Sequence, residues 1–181
     1  RNAWLSYKEA EETEMEKLAK AYREFLDKGK TERECVAEIV KEAEAAGYES
    51  LESKLEKGEK IKAGDKVYAV GMKKIVALFH VGTEELSGGM SILCAHIDSP
   101  RLDVKQNPLY EDTDLAYLDT HYYGGVKKYQ WVTLPLAMHG VVAKKDGSIV
   151  EISIGEDAED PVLYITDLLI QDRKSTRLNS S

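Results

Sequence analysis

The chain has 181 residues, 43% of them apolar, and 33 Asp and Glu against 25 Lys and Arg give it a net charge of −8. That length suits one domain of ordinary size or two small ones. The acidic balance argues against nucleic acid and against an anionic membrane surface, both of which need a basic patch.

Ser6-Tyr7-Lys8-Glu9 has the form of a capping box, and Met15, Leu18, Ala19, Tyr22, Phe25 and Leu26 follow at helical spacing, so a first helix is expected up to Gly29. Thr31-Glu32-Arg33-Glu34 is a second capping box. Cys35, Val36, Ile39, Val40 and Ala43 form its stripe, and Gly47 ends it. Both helices read as scaffold with the apolar face inward. Leu51 and Leu55 predict a short third helix before Gly58.

After Gly64-Asp65 the period changes to that of strands. Val67-Tyr68-Ala69-Val70 predicts a short strand, Gly71-Met72-Lys73 a turn, and residues 75–81 a longer strand ending near His80. An acidic, Gly-rich loop covers residues 82–89. Residues 91–98 then predict a buried strand, with Ile92-Leu93-Cys94-Ala95 as its apolar run and Ser99-Pro100 as its stop. Helices, a hairpin and a continuous apolar strand together predict an α/β sandwich around a mixed sheet.

From Lys105 the texture is β-rich. Asn107-Pro108 and the acidic residues 111–114 read as a loop. Residues 132–145 read as a long strand bent at Pro135, and Asp146-Gly147 as a hairpin turn leading back through residues 149–154. Thr166 or Asp167 is placed to cap a helix containing Leu168-Leu169-Ile170. Residues 171–181 carry no apolar period and break that helix as it starts, which is the mark of a non-native tail. The expected domains are 1–104, 105–170 and a tail of 171–181. No apolar stretch approaches the roughly 20 residues of a membrane span. No signal peptide is visible, although the chain opens Arg1-Asn2-Ala3-Trp4 without an initiator Met and so reads as a fragment. A soluble cytoplasmic protein is expected.

The chemistry rests on few residues. Cys35 and Cys94 both lie in apolar runs without CxxC spacing, so neither a disulfide framework nor a cysteine zinc site is indicated. His96 and Asp98, two residues apart, would share one face at the carboxyl end of a strand, where open α/β sheets place ligands. A metal-binding imidazole oriented by a carboxylate has this form; so does a structural hydrogen-bonded pair. The other histidines, His80, His121 and His139, show no HExxH spacing, and His80 reads as a surface or a satisfied histidine. Gly124-Gly125 before Lys127-Lys128 lacks the P-loop pattern. Tyr122, Tyr123, Tyr129 and Trp131 read as β-core or subunit contact more than as a stacking platform.

Longer motifs add a resemblance. Residues 95–103, AHIDSPRLD, are similar to the metal-binding motif of the aspartyl aminopeptidase family, which includes vacuolar aminopeptidase I. Residues 107–111, 120–131, 135–142, 154–157 and 160–169 resemble its clostridial-type members, in order. The likeness runs from about Trp4 to Ile170. It implies a two-zinc aminopeptidase, other divalent metals being possible, that removes N-terminal residues from peptides. It implies that His96 binds zinc and that Asp98 orients His96. The implied fold is the zinc-exopeptidase α/β sandwich with an inserted β-rich dimerisation and lid domain, truncated here. The implied assembly is a homo-oligomer, commonly a dodecamer. In the family a glutamate base and the remaining metal ligands lie further along the sequence, so the 181-residue chain alone is expected to be inactive. A histidine that follows the Asp-Leu-Leu segment in the family is replaced here by Gln171-Asp172-Arg173. Two alternatives stand beside this reading. One is a non-catalytic oligomerisation or peptide-binding module. The other is a different zinc hydrolase on the same sandwich, such as a deacylase, which would leave the stretch from Tyr122 to Trp131 unexplained.

Overall fold

The computed structural model describes residues 2–166. Of the two residues expected to cap a helix, Thr166 is the last described residue; Asp167, the Leu168-Leu169-Ile170 segment and the tail 171–181 lie outside the described residues. The chain divides into two compact units, one ending at Asp98 and the other beginning at Ser99.

In the first unit, α1 (Glu9–Lys28) begins later than the Ser6 capping box predicted. Ser6 belongs instead to a 3-10 turn, Ala3–Ser6, and Tyr7 after it is extended, so a helix cannot run through it. The Lys8 N–H donates to the Glu11 carboxylate at 2.8 Å, and Glu9, Glu11 and Glu12 place negative charge at the helix N-terminus. Gly29 closes the helix by donating to the Phe25 carbonyl. The helical spacing is as predicted, but the stripe is not inward: Leu18 and Tyr22 are exposed. Helix α2 (Glu32–Ala45) forms as expected, with Thr31 and Glu34 exchanging hydrogen bonds in a capping box. It carries Cys35, Val36 and Ala43, which with Val67 are the buried apolar side chains among the described residues.

Strand β1 (Glu49–Ser50) leads into α3 (Leu51–Glu56), the predicted short helix, capped by the Ser50 side chain. Strands β2 (Lys66–Gly71) and β3 (Ile75–His80) form the predicted hairpin. β1 pairs parallel with β2 and β2 antiparallel with β3, so this three-stranded sheet is mixed. At its turn Met72 and Lys73 both have positive φ, 53° and 56°, the twist that suits a tight hairpin. The Arg33 guanidinium donates to the Met72 carbonyl at 3.3 Å. Tyr68 donates to the Glu44 carboxylate at 2.7 Å, a bond that holds its phenol above the usual range. The Lys54 ammonium lies 3.1 Å from Glu49, 3.7 Å from Glu59 and 3.7 Å from Asp65, tying α3 to the segments on both sides.

Residues 91–98 are not the predicted buried strand. They take no strand conformation among the described residues, and Ile92, Leu93 and Cys94 are exposed, Leu93 completely. A continuous apolar run becomes a buried strand only where neighbouring strands satisfy its backbone and other layers cover both faces. Nothing among the described residues pairs with it.

The second unit is built from hairpins. β4 (Arg101–Asp112) pairs antiparallel with β5 (Leu115–Tyr123). The loop predicted around Asn107-Pro108 and residues 111–114 is therefore mostly strand, and the predicted division after residue 104 falls inside β4. Pro108 is tolerated because the register shifts between Val104 and Leu109, where no ladder donor is required of it. The true turn is Thr113-Asp114, both at positive φ, with the Asp114 N–H donating to Glu111 at 3.0 Å. Tyr110 stacks on Tyr117 across the strands at 5.3 Å, and Lys105 pairs with Asp119 at 3.0 Å. β6 (Met138–Ala143) and β7 (Ile149–Ile154) form the last hairpin. Gly147 is left-handed in its turn, and Asp146 accepts from both the N–H and the hydroxyl of Ser148, which holds the Asp146 carboxyl below its usual range. The long strand predicted over 132–145 survives only as β6. Thr133 at φ 64° and Pro135 interrupt it, leaving single bridges from Val132 to Ile165 and from Leu136 to Leu163. Tyr129, expected in a β-core or a contact, is exposed.

Two outcomes follow for the first unit. Thr31→Ala should lower its stability by about 1 kcal/mol, seen in urea denaturation followed by helical circular dichroism; an unchanged midpoint would contradict the cap. Burial pushes the Cys35 thiol pKa up, and the nearby Glu34 and Glu32 charges add to it. The stability linked to that thiol is fully present below the unfolded value, about 8.5, and is lost as pH rises through the higher folded value. At neutral pH a disulfide-exchange reagent should therefore label Cys94 at once and Cys35 only in denaturant.

Candidate metal centre

His96 and Asp98 do meet. The His96 Nδ1 lies 3.1 Å from the Asp98 Oδ1 and 3.1 Å from the Asp98 carbonyl oxygen. The carbonyl cannot donate, and a carboxylate in its ordinary charged form cannot either, so Nδ1 carries the proton. The second ring nitrogen, Nε2, is then left with its lone pair, the form in which a neutral imidazole binds a metal. The His96 side chain is 84% exposed and that of Asp98 41%, so the pair contributes orientation more than stability.

The remaining histidines lie elsewhere on their own elements. His80 is exposed at the end of β3, opposite Lys66. His121 is exposed on β5, its Nδ1 3.3 Å from the Tyr122 carbonyl. His139 on β6 lies 2.9 Å from the Glu156 carboxylate, with its side chain only 12% exposed. That His139–Glu156 pair has no signal in the sequence, because the hairpin fold alone brings the two together. Among the described residues no group of three or more His, Cys, Asp or Glu is arranged to hold a metal. A catalytic zinc takes three protein ligands and a water. The pair fits one of those positions with its orienting carboxylate, and the described residues do not complete the set.

Gly124-Gly125 does not build a phosphate cradle. Gly124 turns at φ 73°, where an added Cβ would meet Pro100 at 3.4 Å, and only a 3-10 turn, Lys128–Gln130, follows. Two basic residues around it lie over aromatic rings. The Arg101 guanidinium lies 4.0 Å from the Tyr123 ring centre and 2.7 Å from Asp103, and the Lys128 ammonium lies 4.4 Å from the Tyr122 ring centre.

Comparison with known proteins supplies what the geometry leaves open. Residues 25–180 match the family profile of the aminopeptidase I zinc metalloproteases (M18). A probable M18 family aminopeptidase 1 from Clostridium acetobutylicum is 56% identical over 170 residues, 94% of this chain and 37% of that protein. Among solved structures, aminopeptidase I from Borrelia burgdorferi B31 superposes with a TM-score of 0.86 at 38% identity, over 94% of this chain and 41% of that one. Aminopeptidase I from Clostridium acetobutylicum gives 0.79 at 55% identity, over 97% and 38%. The chain thus spans a little over a third of the length of the curated relatives it matches. With a family profile matched over most of its length, this α/β chain belongs to the aminopeptidase I zinc metalloprotease family (M18).

Proposed function

We propose that this chain is part of a zinc-dependent aminopeptidase that removes N-terminal residues from peptides, and that His96 is one of its zinc ligands. The observation that carries the reading is the His96–Asp98 pair, lying inside the stretch matched to the zinc metalloprotease family. Zinc bound there would act as a Lewis acid and lower the pKa of a water. The chain's own part is narrower. Asp98 holds the proton on Nδ1 and aims the ring, and His96 offers Nε2. The other ligands and the general base belong, on this reading, to the part of the relatives that the chain does not span.

The same proposal takes two zinc ions per site, a zinc-exopeptidase sandwich, and an inserted β-rich lid and dimerisation domain over residues 105–170. It places the protein in the cytoplasm as a homo-oligomer, a dodecamer in the full-length parent. What supports the insertion is the division into two units near residue 98 and the hairpin construction of the second. What supports a non-membrane setting is that, among the described residues, no helix is long and apolar enough to cross a bilayer.

The reading is tested by two measurements. The purified 181-residue chain should not hydrolyse aminoacyl-p-nitroanilides, and chelator-sensitive hydrolysis by it would overturn the assignment of the remaining ligands. In the full-length parent, His96→Ala should abolish turnover and lower the zinc content, while Asp98→Asn should weaken zinc binding about 10–100-fold. Unchanged zinc stoichiometry and turnover in His96→Ala would remove His96 from the site.

A further inference from the structure

Every residue from Gly89 to His96 is exposed, but Ile97 and Asp98 are half-buried. What they approach is helix α2. The Cys35 Sγ lies 3.4 Å from the Gly29 carbonyl oxygen and 3.8 Å from that of Ile97. Cys35 itself is only 5% exposed. A thiol has one weak donor proton and a large, polarisable sulfur. It can give the proton to one carbonyl and keep contact with the other. The chain makes room for it at Gly29, where an added Cβ would stand 2.8 Å from Sγ and 3.2 Å from the Phe25 carbonyl oxygen. Gly29 has φ −95°, so the sulfur, and not a left-handed backbone, is what a side chain there would disturb. Burial, with the charges of Glu34 and Glu32, keeps the thiol protonated and able to donate at neutral pH.

Ile97 is the residue between His96 and Asp98. The two soft torsions of Ile97 are among those that set the relation of the two side chains, and a carbonyl held in place restrains one of them. We infer that Cys35 is a positioning residue for the His96–Asp98 pair: its buried thiol, seated between the Gly29 and Ile97 carbonyls, fixes the backbone that carries both side chains. The consequence for metal binding rests on the proposed function; the placement of the pair does not. The competing role for Cys35 is simple core filling beside Val36 and Val67. Filling would affect the whole unit, whereas positioning acts on residues 96–98 first.

The test uses nuclear magnetic resonance on the 181-residue chain, at a pH well above the ordinary imidazole value of about 6.5. In the native chain the ring nitrogens of His96 should show the proton on Nδ1, and the Ile97 and Asp98 amides should have order parameters of about 0.85. In Cys35→Ala those two values should fall below about 0.6, and the ring should move towards the Nε2–H tautomer. The amides of β2 and β3 should keep their order. Gly29→Ala, which retains the thiol but displaces it, should give the same local loss, and combining it with Cys35→Ala should add nothing further. A Cys35→Ala chain with native tautomer and order, or one that loses order equally through β2 and β3, would overturn the inference. Should Cys35→Ala not fold, Gly29→Ala decides alone, and native spectra in it would overturn the inference too. Unchanged zinc content in full-length His96→Ala would remove the metal reading while leaving these spectra, and the role of Cys35, intact.

Discussion

The first unit depends on a thin apolar core between α2 and the sheet of β2 and β3. Cys35, Val36 and Ala43 on the helix and Val67 on the strand are small side chains, and a fully buried Val contributes only about 1.5–3 kcal/mol. With so thin a core, the polar ties at its edges carry more weight than they would in a larger domain. The Thr31–Glu34 box starts α2, Tyr68 reaches Glu44 near its end, and Arg33 steadies the turn between β2 and β3. The same helix turns Cys35 towards Ile97. Core and candidate site are thus joined through α2, and a change that loosens the helix would be felt at both.

What was legible in the sequence follows from how far each signal reaches. The Thr31 box, the short helix at Leu51 and Leu55, the turn at Met72-Lys73 and the hairpin around Asp146-Gly147 are written in a few consecutive residues, and they form as expected. The larger failures are cases where distant chain decides. Residues 91–98 have the composition of a buried strand but no strand beside them. Residues 107–114 have the composition of a loop, yet β5 lies opposite and supplies a ladder that Pro108 evades at the register shift. Ser6 looks like a helix cap until the 3-10 turn before it and the extended Tyr7 after it are taken into account. The stripe of α1 has the right period, but period alone does not say what covers it.

The candidate site divides in the same way. His96 and Asp98 were legible because a spacing of two is a local property, and their contact holds even without the strand that was expected to present them. Cys35 was not legible as their support. Gly29, Cys35 and Ile97 come from a helix end, a helix interior and an irregular segment, and no spacing rule connects them. The zinc and the peptidase chemistry came from the length and order of the motifs, which the family match bears out at the level of the family.

The exposure of His96 bears on what the pair is for. A solvated His–Asp contact adds between nothing and about 1 kcal/mol to stability, so thrift in folding energy does not explain it. Its effect is on the ring itself: two acceptors at one nitrogen choose which tautomer is present and which way Nε2 points. On the proposed function, that choice leaves Nε2 to the metal. His139 beside Glu156 is the more covered of the two histidines, with its side chain 12% exposed. Both histidine pairs lie inside the zinc metalloprotease match, and they differ in which ring nitrogen is bonded, Nδ1 in His96 and Nε2 in His139.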